Sequence, residues 1–463
     1  MQRNGALVAD TGAPLSSTHP QAGTAFCASS PAIEQSGHPT PAAACGEAHA
    51  RDLLRHLPGH RILVTGGCGF IGSAFIRHIL VNAPETVHVF NLDTLEYCAG
   101  VHAVLGVLSA TGDHGCEASG DGASTSEEES ATVTYFSSSS TTSLASRYHF
   151  IFGSILDATL VMDTLRTHRV DVIVHMAAQT HVDNSFSRSL LFTEVNVVGT
   201  HTLLECARQY GQLTRFLHIS TDEVYGETSA TAQPASEAST VLCPTNPYAA
   251  TKAAAEHLVS AYHHSFKLPV LISRGSNAFG PGQYPEKVIP NFIAHALRQE
   301  RLPIQGDGHH QRSFIYVEDV VRALCTILVR GSVGEVYNVT TDKELSVHEL
   351  AERVVACVAG DDHDKALAAS RTGFDASYVR YVTDRAYNDA RYCSEGAKLA
   401  ALGWVEEVSF DEGLRRTIAW YRGHLWEAGG YWKGGSQVGA TAPCSSSPHL
   451  SEREKVDESS PYV

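Results

Sequence analysis

The sequence predicts an α/β fold built on a doubly wound parallel sheet. Three observations point there. Short apolar runs recur, each ending in small or polar residues; helix-length segments separate most of them; and a glycine-rich turn follows the first. The runs are RILVTG (61–66), HVFNLD (88–93), YHFIFG (148–153), VDVIVHMA (170–177), RFLHIS (215–220) and PVLISR (269–274). Continuous apolar strands alternating with helices form parallel sheets covered on both faces. Ligands of such sheets bind at the carboxyl ends of the strands.

Residues 1–57 come first. They are rich in Ala, Ser, Pro, Gly and His and lack periodicity, so a disordered extension is expected. The first strand then runs through RILVTGGCGFIGSAFIRHIL, which reads as strand, turn and helix. Gly66, Gly69 and Gly72 let the backbone turn tightly and approach a pyrophosphate, and the helix starts with free N–H groups facing the anion. Asp93 ends the next strand about 20 residues after Gly72, where a carboxylate accepts from a ribose hydroxyl and favours NAD over NADP. A tight turn without a ligand would share the glycines. Strand, helix onset and acid together favour a Rossmann-type dinucleotide site over residues 58–280.

An insertion at 107–146 interrupts this region. It contains SEEES and SSSSTTS, with six acids and no Lys or Arg, and reads as a disordered acidic surface loop.

The stretch HISTDEVYGET (218–228) places Asp222 and Glu223 side by side at a buried strand end. Carboxylates seldom stand there without a partner or a task. In a regular strand neighbours point to opposite faces, so both reach one ligand only if the backbone has already left the strand. The helix PYAATKAAAEHLVSAY follows, with Asn246 suited to cap it and Pro247 to its first turn. Tyr248 and Lys252 lie four apart on one face. An ammonium near a phenol favours the ionised phenol, which then serves as base or acid. A packing Tyr beside a solvated Lys has the same spacing; the acidic strand end and the dinucleotide turn favour the chemical reading.

Residues 281–435 are less regular and predict a smaller α+β lobe that closes over a substrate. Ser409 and Glu412 stand at capping-box spacing. Residues 436–463 form a tail with the composition of the N-terminal extension.

Composition excludes other classes. Of 463 residues, 43% are hydrophobic and 18% charged, as in a globular protein. The net charge of −16 argues against a nucleic-acid partner, and much of it resides in the insertion. Eleven scattered cysteines with no C-x-x-C pair suit reduced thiols in the cytoplasm. No apolar run approaches the ~18 residues of a membrane span, so no membrane partner is expected. The histidines form no metal-binding pattern.

The motifs TGGCGFIG, HMAAQTHVDNSF, STDEVYGE, PTNPYAATKAAAE, SRGSNAFGPGQYPEKVIP, LPIQGDGHHQRSFIYVEDV and EVYNVTT narrow the reading. Together the chain resembles the extended short-chain dehydrogenase/reductase superfamily. Within it, the chain is similar to nucleoside-diphosphate-glucose 4,6-dehydratases of the dTDP-glucose and UDP-glucose kinds. The resemblance implies an NAD-dependent hydro-lyase yielding a 4-keto-6-deoxy-glucose nucleotide and water. Its course would be C4 oxidation by bound NAD, elimination across C5 and C6, and hydride return to C6. It assigns Tyr248, assisted by Lys252, to the O4 proton, and Thr221 to a hydrogen bond near O4. Asp222 becomes the acid at the C6 oxygen and Glu223 the base at C5. Phe70, Ile71, Ser154, Ile155, Ala177 and Ala178 would join Gly66, Gly69, Gly72 and Asp93 around the cofactor. His181, Asn277, Lys287, Arg312, Asn338 and Asn388 would hold the sugar nucleotide. The family usually has Asp at position 154 and Asn at 278, where this chain has Ser154 and Ala278. A homodimer is implied, through the segment after Asn196 and the Tyr248 helix. Two alternatives stay open: an NAD-dependent nucleotide-sugar 4-epimerase, against which the Asp222–Glu223 pair speaks, and a catalytically silent NAD-binding regulator docking through the insertion.

Overall fold

The computed structural model describes residues 41–100, 104, 142–229, 231–360 and 377–424. The chain divides into two compact units, Met1–Cys45 and Gly46–Val463. The described residues of the first open a helix, Pro41–Leu54. Disorder through residue 57 was expected, and for residues 41–57 that expectation is corrected. Leu53, Leu54 and Leu57 are buried in one core cluster with Ile62, Phe75 and Val87. Their spacing gives the end of the extension a single apolar face, and burying it outweighs the weak signal of the residues before it. Within the expected insertion, Thr142–Ala145 is a short helix. Residues 107–141 of the insertion, residues 1–40 and the tail lie outside the described residues.

The centre of the second unit is a seven-stranded sheet. Its strands are β1 (Arg61–Thr65), β2 (His88–Asp93), β3 (Tyr148–Phe152), β4 (Val172–His175), β5 (Arg215–Thr221), β6 (Val270–Gly275) and β10 (Val336–Val339). Their order is β10-β6-β5-β4-β1-β2-β3, and every pairing is parallel. The chain winds outward from β1 through β2 to β3, then returns to the other side of β1 as β4. That reversal opens a crevice at the carboxyl ends of β1 and β4, where Thr65 pairs with His175.

Helices cover both faces, as continuous apolar strands require. One core cluster includes residues of helices Phe70–Asn82 and Val317–Arg330; another includes residues of Ala158–His168, Thr200–Tyr210 and Pro247–Phe266. A third gathers Phe279, Phe292, Ile304, Phe314, Leu350 and Phe410. Around this third core lie two small sheets, β11-β9-β7 and β12-β8. Their strands are β7 (Asn277–Phe279), β8 (Leu302–Gln305), β9 (Gln311–Tyr316), β11 (Glu344–Ser346) and β12 (Val379–Val382). The chain crosses the expected 280/281 boundary more than once. Helix Val317–Arg330 and β10 lie beyond it in sequence, yet β10 pairs with β6 in the large sheet. No described helix is long and apolar enough to cross a membrane.

A buried ion pair ties the sheet to the Tyr248 helix. Arg274 on β6 donates to Glu256 at 2.7 Å and to the Tyr225 hydroxyl at 2.8 Å. Its guanidinium also lies over the Tyr225 ring, 4.7 Å from the centroid. Glu256 and Arg274 side chains are only 2% and 7% exposed. Glu256→Ala leaves that guanidinium buried without its carboxylate. The expected loss is about 3–5 kcal/mol of stability, read as a lower urea midpoint.

Candidate active site

The glycine turn is fixed by close approach. Gly66 has φ +72°, and a Cβ there would stand 2.7 Å from the Ala177 backbone. A Cβ on Gly72 would meet the Gly66 carbonyl oxygen at 2.4 Å. Gly69 precedes helix Phe70–Asn82 and supplies no side-chain cap, so the opening N–H groups stay available to an anion. Asp93 steadies the turn: its carboxylate accepts from Cys68 N and Leu95 N, each at 2.8 Å. Each oxygen keeps a further lone pair for a hydroxyl. Asn91, not singled out from the sequence, accepts from Gly67 N at 3.0 Å. This cradle suits a dinucleotide pyrophosphate. Gly72→Ala pushes its backbone apart, so the expected result is at least tenfold weaker NAD binding, measured by equilibrium titration.

From that turn a cavity of about 450 Å³ reaches across the ends of β1, β4, β5 and β6. This is within the usual range for small-ligand sites. Gly66, Gly69, Phe70, Ile71, Gly72, Asp93, Ser154, Ile155, Ala177 and Ala178 line it. So do Thr221, Asp222, Glu223, Tyr248, Lys252, Asn277 and Lys287.

How two adjacent carboxylates face one cavity is answered by the backbone. Strand β5 ends at Thr221, with φ −138° and ψ 151°, and Asp222–Tyr225 is a 3₁₀ turn. Strand alternation has ceased before the acids begin. The Thr221 hydroxyl accepts from Glu223 N at 3.3 Å and lies 3.4 Å from Asp222 Oδ1. Asp222 is 4% exposed. Burial, then the neighbouring Glu223 charge, pushes its carboxyl up to about 7. Burial also raises Glu223, but Asn246, Lys287 and Arg312 favour its ionised form. Asn246 Nδ2 donates to Glu223 Oε2 at 3.1 Å. The environments thus differ: Asp222 is suited to hold a proton near neutrality and Glu223 is furnished with groups that favour its charge.

Asn246 also caps helix Pro247–Phe266, accepting from Ala249 N at 2.8 Å. The sequence reveals only this cap. The second task of its amide follows from the 3₁₀ turn, which no local pattern announces. Tyr248 and Lys252 share the cavity, but the expected favouring of an ionised phenol is not found. Burial raises the Tyr248 phenol, and the charges of Glu223 and Asp222 raise it further. Lys252 Nζ instead donates to the Ile219 carbonyl at 2.6 Å. Burial lowers its ammonium to about 8.

The remaining expected residues divide. Asn277 and Lys287 line the cavity; Lys287 Nζ donates to Thr180 O at 2.8 Å. Ser154 lines it while its hydroxyl accepts from Leu156 N at 3.2 Å. His181 caps a short helix, Val182–Ser187, and stands 3.8 Å from Glu286, a cavity residue. Arg312 lies outside the lining, donating to Asn388 Oδ1 at 3.1 Å, and its charge still acts on Asp222 and Glu223. Asn388 in turn donates to Asp384 at 3.0 Å. Asn338 is not brought to the cavity. It is wholly buried, accepts from the Tyr225 hydroxyl at 2.8 Å, and donates to Ala235 O at 3.3 Å and Glu395 O at 3.0 Å. Its polar atoms are engaged as a latch, so its expected substrate contact is corrected. Thr94, Glu96, Gln179, Glu194, Ser276 and Glu286 also line the cavity and were not foreseen.

A family model described as GDP-mannose 4,6 dehydratase matches residues 113–417. The chain belongs to this 4,6-dehydratase family. The dTDP-D-glucose 4,6-dehydratase of Homo sapiens is 38% identical over 376 residues, covering 80% of this chain and 94% of that one. An Arabidopsis thaliana protein is 39% identical over 360 residues, which is 78% of this chain and 46% of the plant protein. That protein is a trifunctional UDP-glucose 4,6-dehydratase/UDP-4-keto-6-deoxy-D-glucose 3,5-epimerase/UDP-4-keto-L-rhamnose-reductase. This 4,6-dehydratase family member thus spans about half the length of the plant relatives it matches. In fold it is similar to DesIV, a dTDP-glucose 4,6-dehydratase from Streptomyces venezuelae crystallised with NAD. The TM-score is 0.64 at 38% identity, covering 79% of this chain and 99% of that one.

Proposed function

We propose that this 4,6-dehydratase family member converts dTDP-glucose or UDP-glucose to the 4-keto-6-deoxy-glucose nucleotide and water, with NAD as bound cofactor. The observation that carries the reading is the 3₁₀ turn that sets Asp222 and Glu223 together at the cavity holding Tyr248 and Lys252. The glycine cradle, Asp93, Ser154, Ile155, Ala177 and Ala178 would hold NAD. When bound, NAD supplies a hydride acceptor for C4 and a hydride donor for C6.

The protein's own groups handle the protons. Tyr248 takes the proton from the C4 hydroxyl, with Lys252 as the nearby cation. A carbonyl at C4 acidifies the C5 hydrogen, which Glu223 removes. Asp222 gives its proton to the departing C6 oxygen, and the C5–C6 double bond forms as water leaves; Glu223 returns its proton to C5 as C6 is reduced, which gives the 4-keto-6-deoxy product. Thr221 steadies the turn and hydrogen-bonds near O4. Residues 58–280 would serve the cofactor and 281–435 the sugar nucleotide, with Asn277, Lys287, Arg312, Asn388 and His181 toward the latter. Arg312 suits a diphosphate because its guanidinium presents a planar fork of donors.

A 4-epimerase would use the same cofactor, Tyr and Lys but has no step for an acid–base pair at C5 and C6. Incubation with dTDP-glucose and with UDP-glucose separates the readings. Alkali-sensitive 4-keto-6-deoxy product supports the dehydratase; a galactose nucleotide points to the epimerase, and no turnover to a silent regulator. We also propose a cytoplasmic homodimer. Val198 and Phe266, 50% and 52% exposed, offer apolar surface on the two helical segments expected at its interface. Sedimentation equilibrium at two loading concentrations checks it.

A further inference from the structure

Segment 384–394 carries a buried carboxylate with no part in the chemistry above. Asp389 is 2% exposed. The Thr245 hydroxyl donates to it, lying 2.7 and 2.8 Å from its two oxygens, and the Tyr392 hydroxyl donates as well. Both donors lead toward the acid pair. Thr245 immediately precedes Asn246, whose amide donates to Glu223 at 3.1 Å. The Tyr392 ring faces the Arg312 guanidinium, 4.7 Å away, and that guanidinium acts on Asp222 and Glu223. One carboxylate therefore terminates two short paths to the catalytic turn, from the helix side and from β9.

We propose that Asp389 is a positioning residue, registering segment 384–394 against the Asp222–Glu223 turn and setting the charge around Glu223. The proposal rests on the dehydratase reading. Glu223 is faced by Asp222 and Thr221 on its own turn, Asn246 and Tyr248 at the start of the helix, and Lys287 before helix Val288–Leu297. Arg312 on β9, and Asp389 and Tyr392 on segment 384–394, act on it as well; Tyr387 lies within reach of Asp389's charge. Of these, Asp389 is the negative group that opposes ionisation of Glu223, whereas Asn246, Lys287 and Arg312 favour it. Asp389 thus keeps the base from becoming too weak while its hydrogen bonds hold both supports in place.

The test is the pH dependence of kcat for keto-product formation by the full chain loaded with NAD. A base is inactive once protonated, so Glu223 sets the acidic limb. Asp389→Asn keeps the shape and removes the charge, letting Glu223 ionise at lower pH. The acidic limb should move down by about half a pH unit, and plateau kcat should fall about tenfold. Thr245→Val keeps the charge and cuts the path to Asn246; kcat should fall about fivefold with KM unchanged and no downward move of the limb. A carboxylate that only stabilises the segment would lower Tm and leave the limb in place, which overturns the proposal. Should Asp389→Asn not fold, unchanged kcat in Thr245→Val overturns it equally. Failure of the underlying reading shows separately, as absence of keto product from the wild type, and takes the proposal with it.

Discussion

Asp222→Asn is expected to lower kcat for keto-product formation about 10³-fold while leaving NAD affinity within about twofold. The side chain keeps its volume, and the glycine turn that receives the cofactor is untouched. What disappears is the proton for the departing C6 oxygen. The wild-type carboxyl holds it near neutrality because burial and the Glu223 charge push it up to about 7. The sign for wild type follows. Asp222 must be protonated, so activity falls as pH rises through about 7; Glu223 must be ionised, so activity also falls toward acid. The wild-type profile is a bell, and in Asp222→Asn the component near 7 is gone. Parallel loss of NAD affinity and turnover would refute this role, since a general acid acts after binding.

Lys252→Met should lower kcat about 10²-fold or more, with the fold retained because the long apolar side chain fills the same space. Lys252 is 5% exposed and is anchored to the Ile219 carbonyl at 2.6 Å, beside the turn that bears the acids. Without it Tyr248 loses the cation in the same cavity, while the charges of Glu223 and Asp222 still oppose its ionisation. The ionised phenol, the form that accepts the O4 proton, becomes harder to reach. Burial holds the ammonium at about 8, so activity that needs its charge declines as pH rises through that value. Residual turnover in Asp222→Asn should therefore still decline near pH 8, and residual turnover in Lys252→Met near pH 7. A decline that stayed near pH 7 in Asp222→Asn, or a second decline near pH 8 that persisted in Lys252→Met, would exclude these assignments.

The sheet, the glycine turn and the Tyr248 helix were legible because each is a local pattern. Apolar runs end where the chain turns, Gly66 and Gly72 stand where a Cβ would collide, and Asn246-Pro247 marks a helix start. The 3₁₀ turn at Asp222 was legible only as a requirement: two neighbouring acids serve one ligand if the strand has ended. Other features depend on residues far apart in the chain. Asn338 reads as a polar residue near a strand end, yet Tyr225, Ala235 and Glu395 occupy its side chain. Helix Pro41–Leu54 was missed because its buried leucines are concentrated at its end, in Leu53 and Leu54, with Leu57 just beyond. Lys252 was expected to favour the ionised form of Tyr248, but burial and two carboxylates govern its phenol. Spacing along a helix tells which groups are neighbours, not where a flexible ammonium finds its acceptor.

The position of β10 bears on how this protein is made and how it can be cut. Its partner β6 is complete at Gly275, but the strand that shields β6's outer edge is not synthesised until Val339. During that interval an apolar edge with open backbone donors and acceptors is exposed, a template for intermolecular pairing. A nucleotide-binding fragment truncated at 280 would retain this raw edge permanently and precipitate. An autonomous piece has to run through residue 339 and thereby carries part of the smaller lobe with it.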